Sequence, residues 1–136
     1  KPFTHQHLGE VGETLKQAQG EDTDLLFLAQ RGGFTRGIFA TAYTAFDGTI
    51  EDAYALYKTF YQNAPFTQVA KKEIHLKLVV NSNQCFLHLH KHKGQLLITS
   101  VIDNLIKGAS GQAIQNLNIM MGWEENMGLQ LKTTIF

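Results

Sequence analysis

The sequence predicts an α+β domain, a mixed and mostly antiparallel sheet with helices packed on one face. Three observations carry that expectation. Runs with apolar residues at three- and four-residue spacing alternate with short β-branched and aromatic runs. Two of the latter, residues 85–90 and 95–102, are joined by a Lys93-Gly94 turn, the signature of an antiparallel hairpin. Helices interspersed with hairpin-type strands make an α+β rather than a parallel arrangement. The length of 136 residues, 43% of them hydrophobic, suits one domain with a filled core.

In chain order, a polar cluster (Thr4-His5-Gln6-His7) leads into a helix with Leu8, Val11, Leu15 and Ala18 on one stripe and Gly20 as its stop. Residues 24–29 form an apolar run of buried-strand type. Residues 30–37 read as a glycine-bearing loop, and 38–46 as a second strand. Thr49 is placed to cap a helix over 50–63, with Asp52 favouring its dipole. Pro65 enforces an extended exit. Further strands are expected at 66–69 and 74–80, then the hairpin. A last helix is expected over 104–121, ended by Gly122 in the left-handed conformation.

Composition excludes several function classes. Twelve basic residues balance twelve acidic ones, which argues against a nucleic-acid partner held by bulk charge. No apolar run approaches the roughly 18–20 residues that cross a bilayer. The single cysteine, Cys85, forbids an intrachain disulfide and fits a reducing, cytoplasmic setting. The chain opens Lys1-Pro2-Phe3 without an initiator Met, so it reads as a piece of something longer.

Five places carry chemistry. His5 and His7 point the same way on an extended segment, and Glu10 sits where its carboxylate can orient an imidazole as a general base; two solvated histidines are the plainer alternative. Arg31 and Arg36, the only arginines, share one glycine-rich loop, suited to a carboxylate or phosphate or simply to a soluble turn. His88, His90 and His92 share a strand face roughly 6.5–7 Å apart, yet the strand offers no carboxylate, so an amphipathic face is preferred to a metal site. After Ile102, Asp103 or Asn104 can cap a helix whose start is unusually small: Gly108, Ala109, Ser110, Gly111 and Ala113. Small residues there imply close approach by another helix, another domain or a ligand, or plain close packing. Cys85 lies in an apolar run without a glycine elbow or helix N-terminus to activate it, so it reads as structural.

Together these segments resemble the N-acetyl-gamma-glutamyl-phosphate reductase family. Residues 100–118, from Ser100-Val101-Ile102-Asp103-Asn104-Leu105 through Lys107-Gly108-Ala109-Ser110-Gly111-Gln112-Ala113 to Gln115-Asn116, are similar to its most specific signature. Met121-Gly122-Trp123, Arg36-Gly37-Ile38 with Ala40-Thr41, Asn81-Ser82-Asn83 with Cys85, and His5-Gln6-His7 with Glu10 resemble its other motifs, in order. Gln6 and Gly9 stand where the family has Arg and Pro, and residues 30–33 also depart from its pattern. The resemblance implies the fold of the C-terminal catalytic domain of glyceraldehyde-3-phosphate-dehydrogenase-like enzymes. It makes residues 1–136 one catalytic and dimerisation domain, with the N-terminal dinucleotide-binding domain and its nucleophilic cysteine outside this chain.

The implied activity is reduction of N-acetyl-glutamyl 5-phosphate to the 5-semialdehyde plus phosphate in arginine biosynthesis. NADP would be bound mainly by the missing domain, and this chain alone would be inactive. By resemblance His7 is the acid/base, supported by His5 and Glu10. Arg36 binds the substrate anion, with Asn83 and Lys107 as further candidates, and Asn104 meets the nicotinamide end of the cofactor. A homo-oligomer through the sheet is implied, without metal, membrane or nucleic acid. The alternative is a non-catalytic dimerisation module of the same fold.

Overall fold

The computed structural model describes residues 3–133. It divides into two compact units, residues 1–34 and 35–136. The first holds helix α1 (Leu8–Gln19), closed by Gly20 at φ 82°. This is the predicted helix and stop, but its stripe has no buried member within the chain. Residues 24–29, expected as a buried strand, are irregular, with Leu26 80% exposed. An apolar run becomes a strand only where an edge accepts its amides, and among the described residues none pairs with this one.

The second unit is a four-stranded sheet in the order β1-β4-β3-β2. β1 (Ile38–Ala45), β3 (Cys85–His92) and β4 (Gln95–Ile102) pair antiparallel; β2 (Thr67–Ala70) joins β3 in parallel. The mixed, mostly antiparallel sheet is thus the predicted one. The β3–β4 hairpin closes on Lys93 and Gly94 at φ 44° and 77°, the paired left-handed geometry that matches strand twist. Helix α2 (Ile50–Phe60) starts with a complete capping box. Thr49 Oγ1 accepts from the Asp52 N–H at 3.1 Å, and Asp52 Oδ2 accepts from the Thr49 N–H at 2.8 Å.

Alternation along the strands gives the sheet two faces. α2 lays Ala53 on Leu89 and Leu96, and Tyr54 sets its hydroxyl between the carbonyls of Ala70 (3.0 Å) and Leu89 (3.2 Å). On the other face Ile74 and Val79 cover Val101 and Phe86. The strand expected at 74–80 is instead this plug, a 3₁₀ turn over Leu76–Leu78. Its apolar residues seal the sheet from above rather than extending it, a choice that hydrophobic content alone cannot distinguish. β1, an edge strand, is exposed at all eight positions.

The last predicted helix is interrupted. Ile106–Ser110 winds as a π turn, with the Ser110 N–H on Leu105 O and the Gly111 N–H on Ile106 O, before helix α3 (Gly111–Met120). Gly122 follows at φ 68°, as expected. Asn118, 3% exposed, donates to the carbonyls of Glu125 and Met127 and ties the tail to α3. No helix among the described residues is long and apolar enough to cross a membrane. Removing the cap hydroxyl by Thr49→Ala should lower unfolding stability by about 1 kcal/mol, read as a shift in denaturant midpoint at unchanged slope.

Candidate active site at one end of the sheet

Strand direction gathers the functional loops of the second unit. Ile38 faces Ile102, Ile102 faces Cys85, and Cys85 faces Thr67. The starts of β1, β2 and β3 and the end of β4 therefore share one end of the sheet. Arg36 precedes β1, Asn81 to Asn83 precede β3, and Asp103 and Asn104 follow β4.

Asp103 is the centre of this end. It has no exposed surface and accepts four hydrogen bonds. Oδ1 takes the N–H groups of Leu105 (2.7 Å) and Ile106 (2.9 Å), capping the π turn. Oδ2 takes the Asn81 N–H and Arg36 Nη2, both at 2.6 Å. Burial alone raises a carboxyl, but the N–H groups of Asn81, Ile106 and Leu105 and the Arg36 guanidinium outweigh it. They hold Asp103 below the ordinary value of 3.8.

Next to it, Asn104 Oδ1 accepts the Gly37 N–H at 2.7 Å. Gly37 has φ 104°, and a Cβ there would meet Leu76, so the residue after Arg36 must be glycine. Asn104 keeps its amide N–H₂ as a donor. Asn83 is 1% exposed and donates to Gln115 Oε1 at 3.0 Å. Gln115 Oε1 also accepts from Lys107 Nζ at 2.6 Å, and Gln115 donates to Glu125. Lys107 lies 5.4 Å over the Phe66 ring; burial pulls its pKa down, opposed by Cys85 and Glu125. Gly111 is small because a side chain there would strike Asn83 Oδ1 and come within 2.8 Å of Ile106. At that position the small helix start is explained by close packing within the chain.

Cys85 faces Ser100 Oγ at 3.7 Å. Burial pushes its thiol up, opposed by the Ser100 hydrogen bond and Lys107, which fits a structural cysteine. His88 and His90 line a shallow depression with Phe39, Glu73, Leu97 and Thr99 on the open sheet face.

In the first unit, His7 sits at the N-cap of α1, and its backbone N–H donates to His5 Nδ1 at 3.3 Å. The two rings meet edge-on with centroids 4.9 Å apart, and His5 also lies 5.1 Å from Phe27. The Gln6 amide nitrogen lies 3.3 Å from His7 Nε2. Glu10 occupies the first turn of α1, and its carboxylate joins neither imidazole among the described residues.

The structure thus brings Arg36, Asn83 and Asn104 to one end of the sheet and places His5, His7 and Glu10 on or before α1. The sequence by itself marks Asp103 only as a helix cap. An acidic residue directly after the apolar Val101-Ile102 was the available signal, since a buried carboxylate requires a cation or several donors.

A half-exposed guanidinium oriented by a buried carboxylate, on a mixed α+β sheet, is a group that can hold a carboxylate or phosphate. The chain belongs to the semialdehyde dehydrogenase dimerisation-domain family, which it matches over residues 1–104. It is similar to proteins named N-acetyl-gamma-glutamyl-phosphate reductase from Christiangramia forsetii (57% identity), Flavobacterium johnsoniae (54%) and Bacteroides thetaiotaomicron (46%). Each similarity covers the whole chain but only 43%, 42% and 42% of the respective relative. The chain therefore spans about two fifths of the length of these proteins.

Because folding depresses the Asp103 pKa, its contribution to stability is complete above about pH 4 and is lost as pH falls through the folded-state value. Denaturation between neutral pH and about pH 2.5 should show a steeper acid loss in wild type than in Asp103→Asn. Asp103→Ala, which strands Arg36 and three backbone amides, should cost about 3–5 kcal/mol at neutral pH.

Proposed function

We propose that this chain is the catalytic and dimerisation domain of an NADPH-dependent N-acetyl-gamma-glutamyl-phosphate reductase. It works with a dinucleotide-binding domain that carries the nucleophilic cysteine. The observation that supports this most is the meeting of Arg36, Asn83 and Asn104 at one end of the sheet, in a chain similar along its whole length to reductases of that name. The reaction is attack of a cysteine thiolate on the acyl carbon of N-acetyl-glutamyl 5-phosphate, loss of phosphate, and reduction of the resulting thioester to the aldehyde. Bound NADPH supplies the hydride. Asn104 suits the nicotinamide end, because its carbonyl is fixed by Gly37 and its amide N–H₂ remains to donate.

The chain's own residues take the other roles. His7 takes the thiol proton and later returns a proton to the developing alkoxide. His5 positions it by accepting the His7 backbone N–H, whereas Glu10, in the first helical turn, joins neither ring and would have to move to support them. Arg36 holds the substrate anion. Asn83, enclosed, acts through Gln115 rather than by contact. Cys85, packed against Ser100 with burial pushing its thiol up, is not given the nucleophile's role, and the chain by itself is expected to be inactive.

The second role is self-association through the sheet. β1 carries Phe39 (46% exposed) and Tyr43 (71%) on the face opposite α2, beside half-buried Leu97 and His88. Such an apolar face is suited to a second copy.

The full-length protein should catalyse phosphate-dependent oxidation of N-acetylglutamate semialdehyde by NADP⁺, with this domain alone inactive and His7→Ala slowed at least roughly 100-fold. An unchanged rate in His7→Ala moves the proton transfer elsewhere, and no activity in a folded, full-length protein favours the non-catalytic module. Ultracentrifugation at tens of micromolar should give a dimer that Tyr43→Asp weakens; a strictly monomeric wild type removes the oligomer reading.

A further inference from the structure

We propose that Asp103 is the positioning residue of the substrate-anion site: it grips Arg36 by one nitrogen so that the guanidinium presents another to the carboxylate or phosphate of the substrate. The inference rests on the reductase reading for the identity of that substrate, but its geometry stands on this chain alone.

Asp103 is more acidic than its local duty requires. Capping the π turn uses Oδ1 only, through Leu105 and Ile106, and a neutral Asn or Ser side chain caps as well. A charge held at zero exposure is unfavourable unless it is paired. Its one cationic partner is Arg36, which shares Oδ2 with the Asn81 N–H and reaches it at 2.6 Å across 67 residues of sequence. Of the four donors around this carboxylate Arg36 alone is a cation, so the negative charge here is matched by Arg36 while the amides of Leu105, Ile106 and Asn81 complete its hydrogen bonding.

The three nitrogens of that guanidinium differ. Nη2 is taken by Asp103, and Nε is enclosed without an acceptor. Nη1 has no acceptor among the described residues and is not enclosed, and the side chain as a whole is 28% exposed. It is the nitrogen left for an outside anion. The backbone after it is fixed as well, because Asn104 holds the Gly37 N–H. Adjacent residues at the end of β4 thus restrain both the head and the root of Arg36. An arginine whose rotamer is set before the ligand arrives loses less freedom on binding it, which tightens binding without a new contact. Lysine cannot reproduce this, since one ammonium on a flexible stem does not hold a carboxylate and an anion at fixed, separate donors.

The test uses the full-length protein and two readouts. In the oxidation assay, Asp103→Asn should raise KM for either the semialdehyde or inorganic phosphate at least roughly 10-fold, with kcat changed less than roughly 3-fold. The substrate whose KM rises identifies the anion as its carboxylate or as phosphate. Arg36→Gln should do the same, and Asp103→Asn added to Arg36→Gln should cause no further rise, because the carboxylate acts through the arginine. Arg36→Lys, which keeps a cation beside the Asp103 carboxylate but only one donor group, should be as impaired as Arg36→Gln.

Calorimetric binding of inorganic phosphate and of N-acetylglutamate to the same proteins gives the answer independently of turnover. A protein that binds one of these anions through Arg36 and Asp103 but turns nothing over removes the reductase reading and keeps this one. Additive effects in the double variant, an unimpaired Arg36→Lys, or wild type binding neither anion overturns it.

Discussion

Four donors meet a carboxylate that has no contact with water, and the order of one end of the sheet follows from satisfying it. The amides of Leu105 and Ile106 fix where the π turn begins, the Asn81 amide fixes the turn before β3, and Arg36 fixes the segment before β1. None of these segments is a neighbour of the others in sequence. A buried carboxylate tolerates no loose partner, because each missing donor leaves charge uncompensated in a medium that solvates it poorly. The three segments are consequently set to within hydrogen-bond tolerance of one another, a precision that apolar packing alone does not impose.

The direction of β2 is what makes this convergence possible. A strand parallel to its neighbour forces the chain back across the sheet before β3 can start, and residues 71–84 make that return. On the way they deposit Ile74 and Val79 over Val101, and they finish in the turn of Asn81 to Asn83. An antiparallel hairpin at this point would have needed only a few residues and would have brought neither the plug nor the turn. The candidate site thus borrows its third wall from a connection rather than from a regular element.

The legible parts of the sequence were those whose cause is local. The Thr49–Asp52 box, the Lys93-Gly94 turn and the glycine stops at Gly20 and Gly122 all stand where residue chemistry puts them. Residues 24–29 and 74–80 depart from the expected strands for one reason: an apolar run records that burial is wanted, not whether a backbone partner exists. The site was legible in its members and not in its wiring. Arg36 and Asn104 belong to recognisable motifs, but the bond from Asp103 to Arg36 spans 67 residues and leaves no mark in either neighbourhood. Asn83 likewise carries no sign that it is enclosed, or that Gly111 is small to make room for it.

The hairpin turn has a bearing on how the chain assembles. β3 and β4 meet across two residues, so their ladder closes at little cost in chain entropy, whereas β1 must be recruited across everything between Ala45 and Gln95. Asp103 rides at the end of the early-closing ladder and Arg36 at the start of the late one. By separation along the chain the amides of Leu105, Ile106 and Asn81 lie nearer to the carboxylate than Arg36 does, so its countercharge comes through the longest of the four loop closures. The charge of the site is therefore balanced only by the contact that carries the greatest cost in chain entropy.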